Sequence, residues 1–326
     1  MCTAVSVKHK DHYFGRNLDL EYSYDEMVTI TPRNYFFKFR KMGKMKAHFA
    51  MIGMAYVVDD YPLYYDATNE KGLSIAALNF PQNADYKQFS EGKDKITPFE
   101  LIPWILGQCV TVGEAEKRLM RINLLNENFS NELPLSPLHW IISDNERSIT
   151  LESVKSGIKV YDNPVGVLTN NPTFDYQLFN LNNYMSLTND VPHNTFDKNN
   201  DLKLEQYSRG MGSMGLPGDF SSMSRFVKAT FVKMNSVSDE NENENVSQFF
   251  HILQSVAMPR GCVKVSDDNY AITIYSSCCN TDRGIYYYTT YSNNQINAVD
   301  MHKENLNGNA LIAYPLKKDQ SINYQN

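Results

Sequence analysis

Met1-Cys2-Thr3-Ala4-Val5-Ser6-Val7 opens the chain, and after a short turn comes His12-Tyr13-Phe14-Gly15-Arg16-Asn17-Leu18-Asp19. Small and apolar side chains alternate in the first segment, the period of a strand. The second segment reads as the strand that returns beside it. Such a hairpin brings Arg16 and Asp19 close to the amino terminus. Cys2 stands one methionine from that terminus, and Met1 can be removed because the next side chain is small. Cys2 then carries a thiol and an α-amine on one residue, with ordinary pKa values of roughly 8.5 and 7.7–8.0. The amine can act as base and the sulfur as attacking thiolate near neutral pH. A neighbouring arginine lowers a thiol pKa, and a carboxylate holds an amine in position. If Met1 stays, Cys2 is an ordinary small apolar residue at the start of a strand, and Arg16 with Asp19 is a surface ion pair.

Outward from this hairpin, strands are expected over 26–31, 48–58 and 73–80, the last after the turn Asn69-Glu70-Lys71-Gly72. Thr97-Pro98-Phe99-Glu100 combines a capping box with proline at the first helical position, ahead of the apolar run 101–106. Thr111-Val112-Gly113-Glu114 repeats the pattern and opens a second helix to about 122. Strands resume over 138–143, 148–154, 158–161 and 165–169. Helices are expected over 174–187, 222–234 and 246–258, with the polar run 239–245 as a solvated loop. Strands over 271–278, 284–291 and 295–300 follow. Hairpin-length connections inside each strand block argue for antiparallel sheets covered by helices, not for parallel βαβ units. Two sheets stacked face to face with helices outside fit this order. Neither a linker nor an internal repeat divides the chain, so one domain over 1–326 is expected, 2–326 after loss of Met1.

With 31 Lys and Arg against 37 Asp and Glu, the formal charge is −6, which argues against a nucleic-acid-binding surface. No apolar run approaches the roughly 18 residues that a membrane-spanning helix needs, and residues 2–8 are too short for a secretory signal. Five cysteines, two of them adjacent, do not form a disulfide framework, and a cytoplasmic location is expected. The 21 Tyr, 17 Phe and 14 Met serve a core as well as an apolar pocket, and most are read as core.

Gly210-Met211-Gly212-Ser213-Met214-Gly215 matches a dinucleotide fingerprint only in letters. The segment before it is polar, and Leu216-Pro217-Gly218 breaks any helix after it. A flexible glycine-rich loop bordering a site is the expectation. No H-x-x-x-H, C-x-x-C or G-x-S-x-G occurs, so no metal is expected and no serine-hydrolase elbow is present. Asn79 and Asn170 each end an apolar strand, where an amide can donate to an oxyanion or simply start a turn. Arg225 lies early in a helix, where it could equally be solvated.

Taken together, these segments resemble the choloylglycine hydrolase family, the conjugated bile salt hydrolases and penicillin V acylases. The resemblance runs end to end. It rests on Met1-Cys2-Thr3, residues 14–19, Asp66-Ala67-Thr68-Asn69-Glu70-Lys71-Gly72-Leu73, Leu78-Asn79-Phe80-Pro81 and Leu138-His139-Trp140. It continues through residues 166–174, Leu216-Pro217-Gly218-Asp219, Ser224-Arg225-Phe226 and Tyr275-Ser276-Ser277-Cys278. The resemblance implies an N-terminal nucleophile hydrolase, an α+β fold in which two antiparallel sheets form an αββα sandwich. It implies Cys2 as nucleophile, with Arg16, Asp19, Asn79, Asn170 and Arg225 completing the catalytic set. Asn171 also being asparagine, Asn170 is chosen for its spacing after Val167-Leu168-Thr169. The implied substrate is a bile salt conjugated to glycine or taurine, favoured by asparagine at Asn79 where penicillin V acylases tend to carry tyrosine. Leu20, Tyr24, Ala67, Phe80 and Leu133, with Asn79, are the candidate substrate-binding residues. The resemblance further implies a homotetramer, and no cofactor is required. Penicillin V or another N-acyl amide is the alternative substrate, and a non-catalytic steroid- or lipid-binding protein the alternative of another class.

Overall fold

The computed structural model describes residues 1–88, 92–199 and 201–326. Cys2–Lys8 and His12–Leu20 form the expected hairpin, buried on both faces, in which Cys2 lies opposite Leu18 and Ala4 opposite Arg16. That hairpin supplies the second and third strands of a six-stranded antiparallel sheet. Its order is Val167–Leu168, Cys2–Lys8, His12–Leu20, Ile272–Asn280, Ile285–Thr290, Asn293–Asp300. An eight-stranded antiparallel sheet faces it. Its order is Gly157–Asp162, Ser148–Val154, Leu138–Ser143, Ser74–Asn79, Tyr61–Asn69, Met51–Val58, Met27–Thr31, Ile312–Pro315.

Because side chains alternate along a strand, neighbours at Arg16 and Asn17 reach opposite layers. Arg16 crosses to the second sheet and donates from Nη1 to the carbonyls of Tyr65 and Ala77. Asn17 points outward and donates to the carbonyl of Leu253, in the helix Glu242–Gln254, at 2.8 Å. That helix and Ser222–Met234 cover the first sheet with Phe226, Phe249 and Phe250, all buried. Each such ring contributes roughly 1.5–3 kcal/mol by leaving water. The helices Leu101–Leu106 and Val112–Leu119 cover the second sheet, where Asn69 Nδ2 donates to the carbonyls of Leu106 and Cys109 at 2.8 Å. The four layers are the expected αββα sandwich. No helix among the described residues is long and apolar enough to cross a membrane.

Several elements differ from expectation for local reasons. The strand Tyr61–Asn69 was not expected; Asp59 and Asp60, both at positive φ, make the tight turn that lets it pair back on Met51–Val58. The expected helix 174–187 stops at Asn180 and continues only as a 3₁₀ turn, Leu181–Tyr184. There Asn182 Nδ2 bonds the carbonyl of Phe179, and Asn183 Nδ2 bonds Asn180 Oδ1, so side chains compete with the helical ladder. The helix expected over 246–258 is Glu242–Gln254, so half of the polar run read as a loop is its first turn. Asn241 caps it by accepting from the amide of Asn243, and Glu242 and Glu244 sit where the helix dipole favours acids. Glu242 is also no idle surface charge: it accepts from Asn280, Arg283 and Tyr287. The second helix of the early pair ends at Leu119, and Ile122–Leu124 instead pairs in parallel with Asp94–Ile96. The 210–215 segment holds only a 3₁₀ turn, Met211–Ser213, with no helix inside it, which removes the dinucleotide reading.

A buried polar chain joins the sheets at the end remote from Cys2's hairpin partner. Ser6 Oγ meets His12 Nε2 at 2.9 Å and Ser143 Oγ at 2.7 Å, while His12 Nδ1 meets Thr281 Oγ1 at 2.8 Å. Burial lowers the His12 pKa from 6.5 to about 4; Lys8 and Lys233 push the same way, against Asp282 and Asp144. Between these values the unfolded chain binds a proton that the folded one does not, so stability rises with pH. Stability is therefore expected to fall by on the order of 3 kcal/mol as the pH drops from 6.5 toward 4. Urea midpoints measured across that window check it. In His12→Asn the slope should flatten, and an unchanged slope would assign the acid sensitivity elsewhere.

Candidate active site

Four separate parts of the chain meet at Cys2. The hairpin supplies Arg16 and Asp19, and the end of strand Val167–Leu168 supplies Asn170. The first turn of helix Ser222–Met234 supplies Arg225, and strand Ile272–Asn280 supplies Thr273. Cys2, Arg16, Asp19, Asn170 and Arg225 are all buried. Ser221 caps the helix by accepting from the amide of Ser224, which fixes where Arg225 emerges.

Arg225 is the hub. Its Nη1 donates to the Cys2 carbonyl at 2.5 Å and to Thr3 Oγ1 at 2.6 Å, its Nη2 to Asn170 Oδ1 at 2.7 Å, and its Nε to the Phe220 carbonyl at 3.0 Å. The Cys2 amide donates to the same Asn170 Oδ1 at 2.9 Å. Two donors converging on one atom identify it as the oxygen of the amide. Asn170 Nδ2 then donates to the backbone carbonyl of Asn79 at 2.7 Å, leaving its second hydrogen free of that bond. Asn171 faces elsewhere, with Nδ2 on the Pro81 carbonyl at 2.7 Å. Asn79 itself is half-buried at the end of its strand, Ser74–Asn79.

Two cations and two carboxylates balance in this interior. Burial pushes the Asp19 carboxyl up; Arg225, the terminal ammonium, a Thr273 hydrogen bond and Arg16 pull it down. Thr273 Oγ1 donates to Asp19 Oδ1 at 2.6 Å, whereas Asp19 Oδ2 is buried with no hydrogen-bond partner among the described residues. Burial lowers the Arg225 pKa against the pull of Asp19 and Cys2. For Arg16 burial acts downward too, but Cys2, Tyr275, Asp66 and Asp19 outweigh it and the pKa is raised. Asp66 accepts from Tyr275 and Tyr286, each at 2.7 Å, and burial pushes its carboxyl up against Arg16 and those donors. The terminal ammonium of Met1 donates to the Asp19 carbonyl at 2.5 Å, and the Asp19 amide returns a bond to the Met1 carbonyl at 2.9 Å.

Thr273, Asp66 and Ser222, whose Oγ accepts from the Asn170 amide at 2.8 Å, were not singled out from the sequence. Thr273 lies opposite Asp19 only because of the register between two strands remote in sequence. Asp66 lies within a segment that carries the resemblance, but spacing does not reveal a buried carboxylate.

The candidate substrate-binding residues are dispersed. Leu20 is half-buried, packs against the core that contains Cys2, and shares a strand face with Leu18. Tyr24 is exposed, its ring 6.2 Å from that of Tyr56, and Leu133 is half-buried in a loop. Ala67 instead packs with Leu73 and Ile75 in the core beneath the helices Leu101–Leu106 and Val112–Leu119, on the face turned away from Cys2. Phe80 is fully buried, stacked on His139 with ring centres 4.2 Å apart. A cavity of about 640 Å³ opens in the outer layer around Trp104, Lys117, Arg118 and Arg121. Its charged wall suits no apolar acyl group, and it lies apart from Cys2.

The chain matches the profile of linear amide C–N hydrolases, choloylglycine hydrolase family, over residues 2–314. It is 58% identical to a bile salt hydrolase/transferase of Lactiplantibacillus plantarum, covering 98% of both chains. It is 41% identical to a bile salt hydrolase/transferase of Clostridium perfringens over the full length of both. The crystal structure of the C2A mutant of conjugated bile acid hydrolase from Clostridium perfringens superposes with a TM-score of 0.91, at 40% identity and complete coverage of both chains. A penicillin V acylase from Agrobacterium tumefaciens shares the fold at 18% identity, with a TM-score of 0.73. With a cysteine at its second position enclosed by arginines, an aspartate and an asparagine, this chain belongs to the choloylglycine hydrolase family of amide hydrolases.

Proposed function

We propose that this enzyme hydrolyses the amide that joins a bile acid to glycine or taurine, with Cys2 as nucleophile once Met1 has been removed. The observation that carries the reading is the convergence of Arg225 Nη2 and the Cys2 nitrogen on Asn170 Oδ1. That nitrogen is the future α-amine, and Asn170 aims it. Asp19 Oδ2, without a partner, is the acceptor available to an α-ammonium at this place. The amine takes the thiol proton directly or through water, and the thiolate attacks the amide carbonyl. The second Nδ2 hydrogen of Asn170 and the Asn79 amide are the donors for the oxyanion, each such donor contributing roughly 2.7–4 kcal/mol. The ammonium protonates the leaving amino acid, and water hydrolyses the thioester. Arg16 and Arg225 supply positive potential around sulfur. Among the described residues, the burial-raised thiols of Cys278 and Cys279, the latter pushed to about 12, are inert by comparison.

Residues 2–326 act as one unit in this reading, since strands from both ends of the chain enter the same two sheets. A homotetramer fits the exposed Phe179, Met185, Phe196, Tyr207 and Met214, and sedimentation measures it. A cytoplasmic location suits the five free cysteines.

Turnover of glycocholate, taurocholate and penicillin V by purified enzyme tests the substrate class. Conjugated bile salts should be cleaved at the higher kcat/KM, and preference for penicillin V would replace this reading with the acylase one. Asn79→Tyr fills the space beside the scissile amide and removes an amide group. It should lower the bile salt to penicillin V ratio by about tenfold, near 1.4 kcal/mol, while thermal stability holds. An unchanged ratio in a folded variant would remove Asn79 from specificity.

A further inference from the structure

Leu138-His139-Trp140 carries the resemblance, yet the mechanism above leaves His139 without a part. Its ring is fully buried in the strand Leu138–Ser143, beside the strand end that bears Asn79: Leu138 pairs with Asn79, and His139 with Leu78. Three contacts hold it. Nε2 meets the Thr169 carbonyl at 2.8 Å; a carbonyl only accepts, so that nitrogen carries the hydrogen. Nδ1 lies 3.3 Å from Glu152 Oε1, on the neighbouring strand Ser148–Val154. The ring stacks on Phe80 with planes 7° apart.

We propose that His139 is a positioning residue that holds both asparagine segments against Cys2. Thr169 is the residue before Asn170, and Phe80 the residue after Asn79, so one imidazole touches both arms of the oxyanion site. Glu152 stands behind the ring at Nδ1. Its Oε1 accepts the amide of Phe174 at 2.9 Å. The peptide 169–174 is thus tied at its first residue through His139 and at its last through Glu152. Asn170 lies between these ties and bridges to Asn79 through the 2.7 Å bond to its carbonyl. Loss of the Nε2 bond frees the Thr169 carbonyl and lets the Asn170 amide drift from the developing oxyanion. His139, Glu152, Thr169 and Phe80 do not touch Cys2, Arg16 or Asp19; Cys2 meets the segment only through its nitrogen on Asn170 Oδ1, an atom that Arg225 Nη2 holds in place from the other side. The proposal rests on the amide-hydrolase reading, which the wild-type turnover of glycocholate tests separately.

The test compares full-length wild type, His139→Phe and His139→Gln by glycocholate kinetics and by the rate at which iodoacetamide alkylates Cys2, followed by peptide mass. Phenylalanine keeps the ring stack and loses both polar contacts. Its kcat should fall about 10²-fold, the cost of a small misplacement at the reacting centre, with KM and alkylation rate close to wild type. Glutamine retains a donor for the Thr169 carbonyl and should recover a large part of kcat. Unchanged kcat in folded His139→Phe overturns the proposal. So does a parallel loss of kcat and alkylation rate, which would show general damage to the site. Failure of both variants to fold would equally overturn it, by making the role one of stability alone.

Discussion

Cys2→Ser should fold like the parent and lose at least about three orders of magnitude in kcat, roughly 4 kcal/mol of transition-state stabilisation. The substitution is nearly isosteric, so the bonds from Arg225 to the Cys2 carbonyl and from the Cys2 nitrogen to Asn170 use backbone atoms that serine retains. What changes is the nucleophile: near neutral pH a hydroxyl offers almost none of the ionised form that a thiol offers. Turnover measured beside the thermal transition separates the two effects. Wild-type activity in that variant would place the nucleophile elsewhere. Full activity in a preparation whose intact mass still includes Met1 would equally sink the mechanism. Mild oxidation should inactivate reversibly and alkylation permanently, with both tracking Cys2; exposed Cys262, replaced by serine, supplies the control.

Arg225→Met carries the second large effect, and here stability moves with activity. Methionine fills much of the volume but donates nothing, so the Cys2 carbonyl, Thr3, the Phe220 carbonyl and Asn170 Oδ1 all lose a charged donor. Asp19 also loses the largest influence that opposes its burial. Leaving a buried carboxylate without its cation costs on the order of 3–5 kcal/mol. Unfolding midpoints in urea should fall accordingly, and kcat should drop with them because Asn170 is no longer held from one side. Arg225→Lys retains charge but not the fork, and should recover stability better than turnover. A variant as stable as wild type would mean that the interior around Asp19 admits water.

The hairpin at the amino terminus was legible because small and apolar residues fill its first strand and its turn is short. The αα pair was legible because Thr97 and Thr111 announce the helix starts. The strand Tyr61–Asn69 was not, since Pro62, Asp66 and Asn69 are residue types that local propensity disfavours in a strand, and pairing with a strand on each side overrides it. Asn-rich 241–245 read as a loop because the same side chains serve caps and turns alike. Spacing pointed to Asn170 over Asn171, and it is Asn170 that lies against Cys2. The contacts of Thr273 with Asp19 and of His139 with Thr169 had no local signal, because each depends on how distant strands line up.

The bond between Met1 and Cys2 has consequences for the order of events in the life of this chain. Its carbonyl is engaged by the Asp19 amide, its nitrogen by Asn170, and the terminal ammonium by the Asp19 carbonyl. Cys2–Lys8 is moreover flanked by a strand on each side. An aminopeptidase needs that bond extended and free in its own cleft. If Met1 is lost as proposed, trimming is favoured on the nascent chain, while the first residues are still unpaired. In the proposed mechanism, a molecule that closes its sheet with Met1 attached holds that bond by Asp19 and Asn170, and these contacts have to open before cleavage can release the amine.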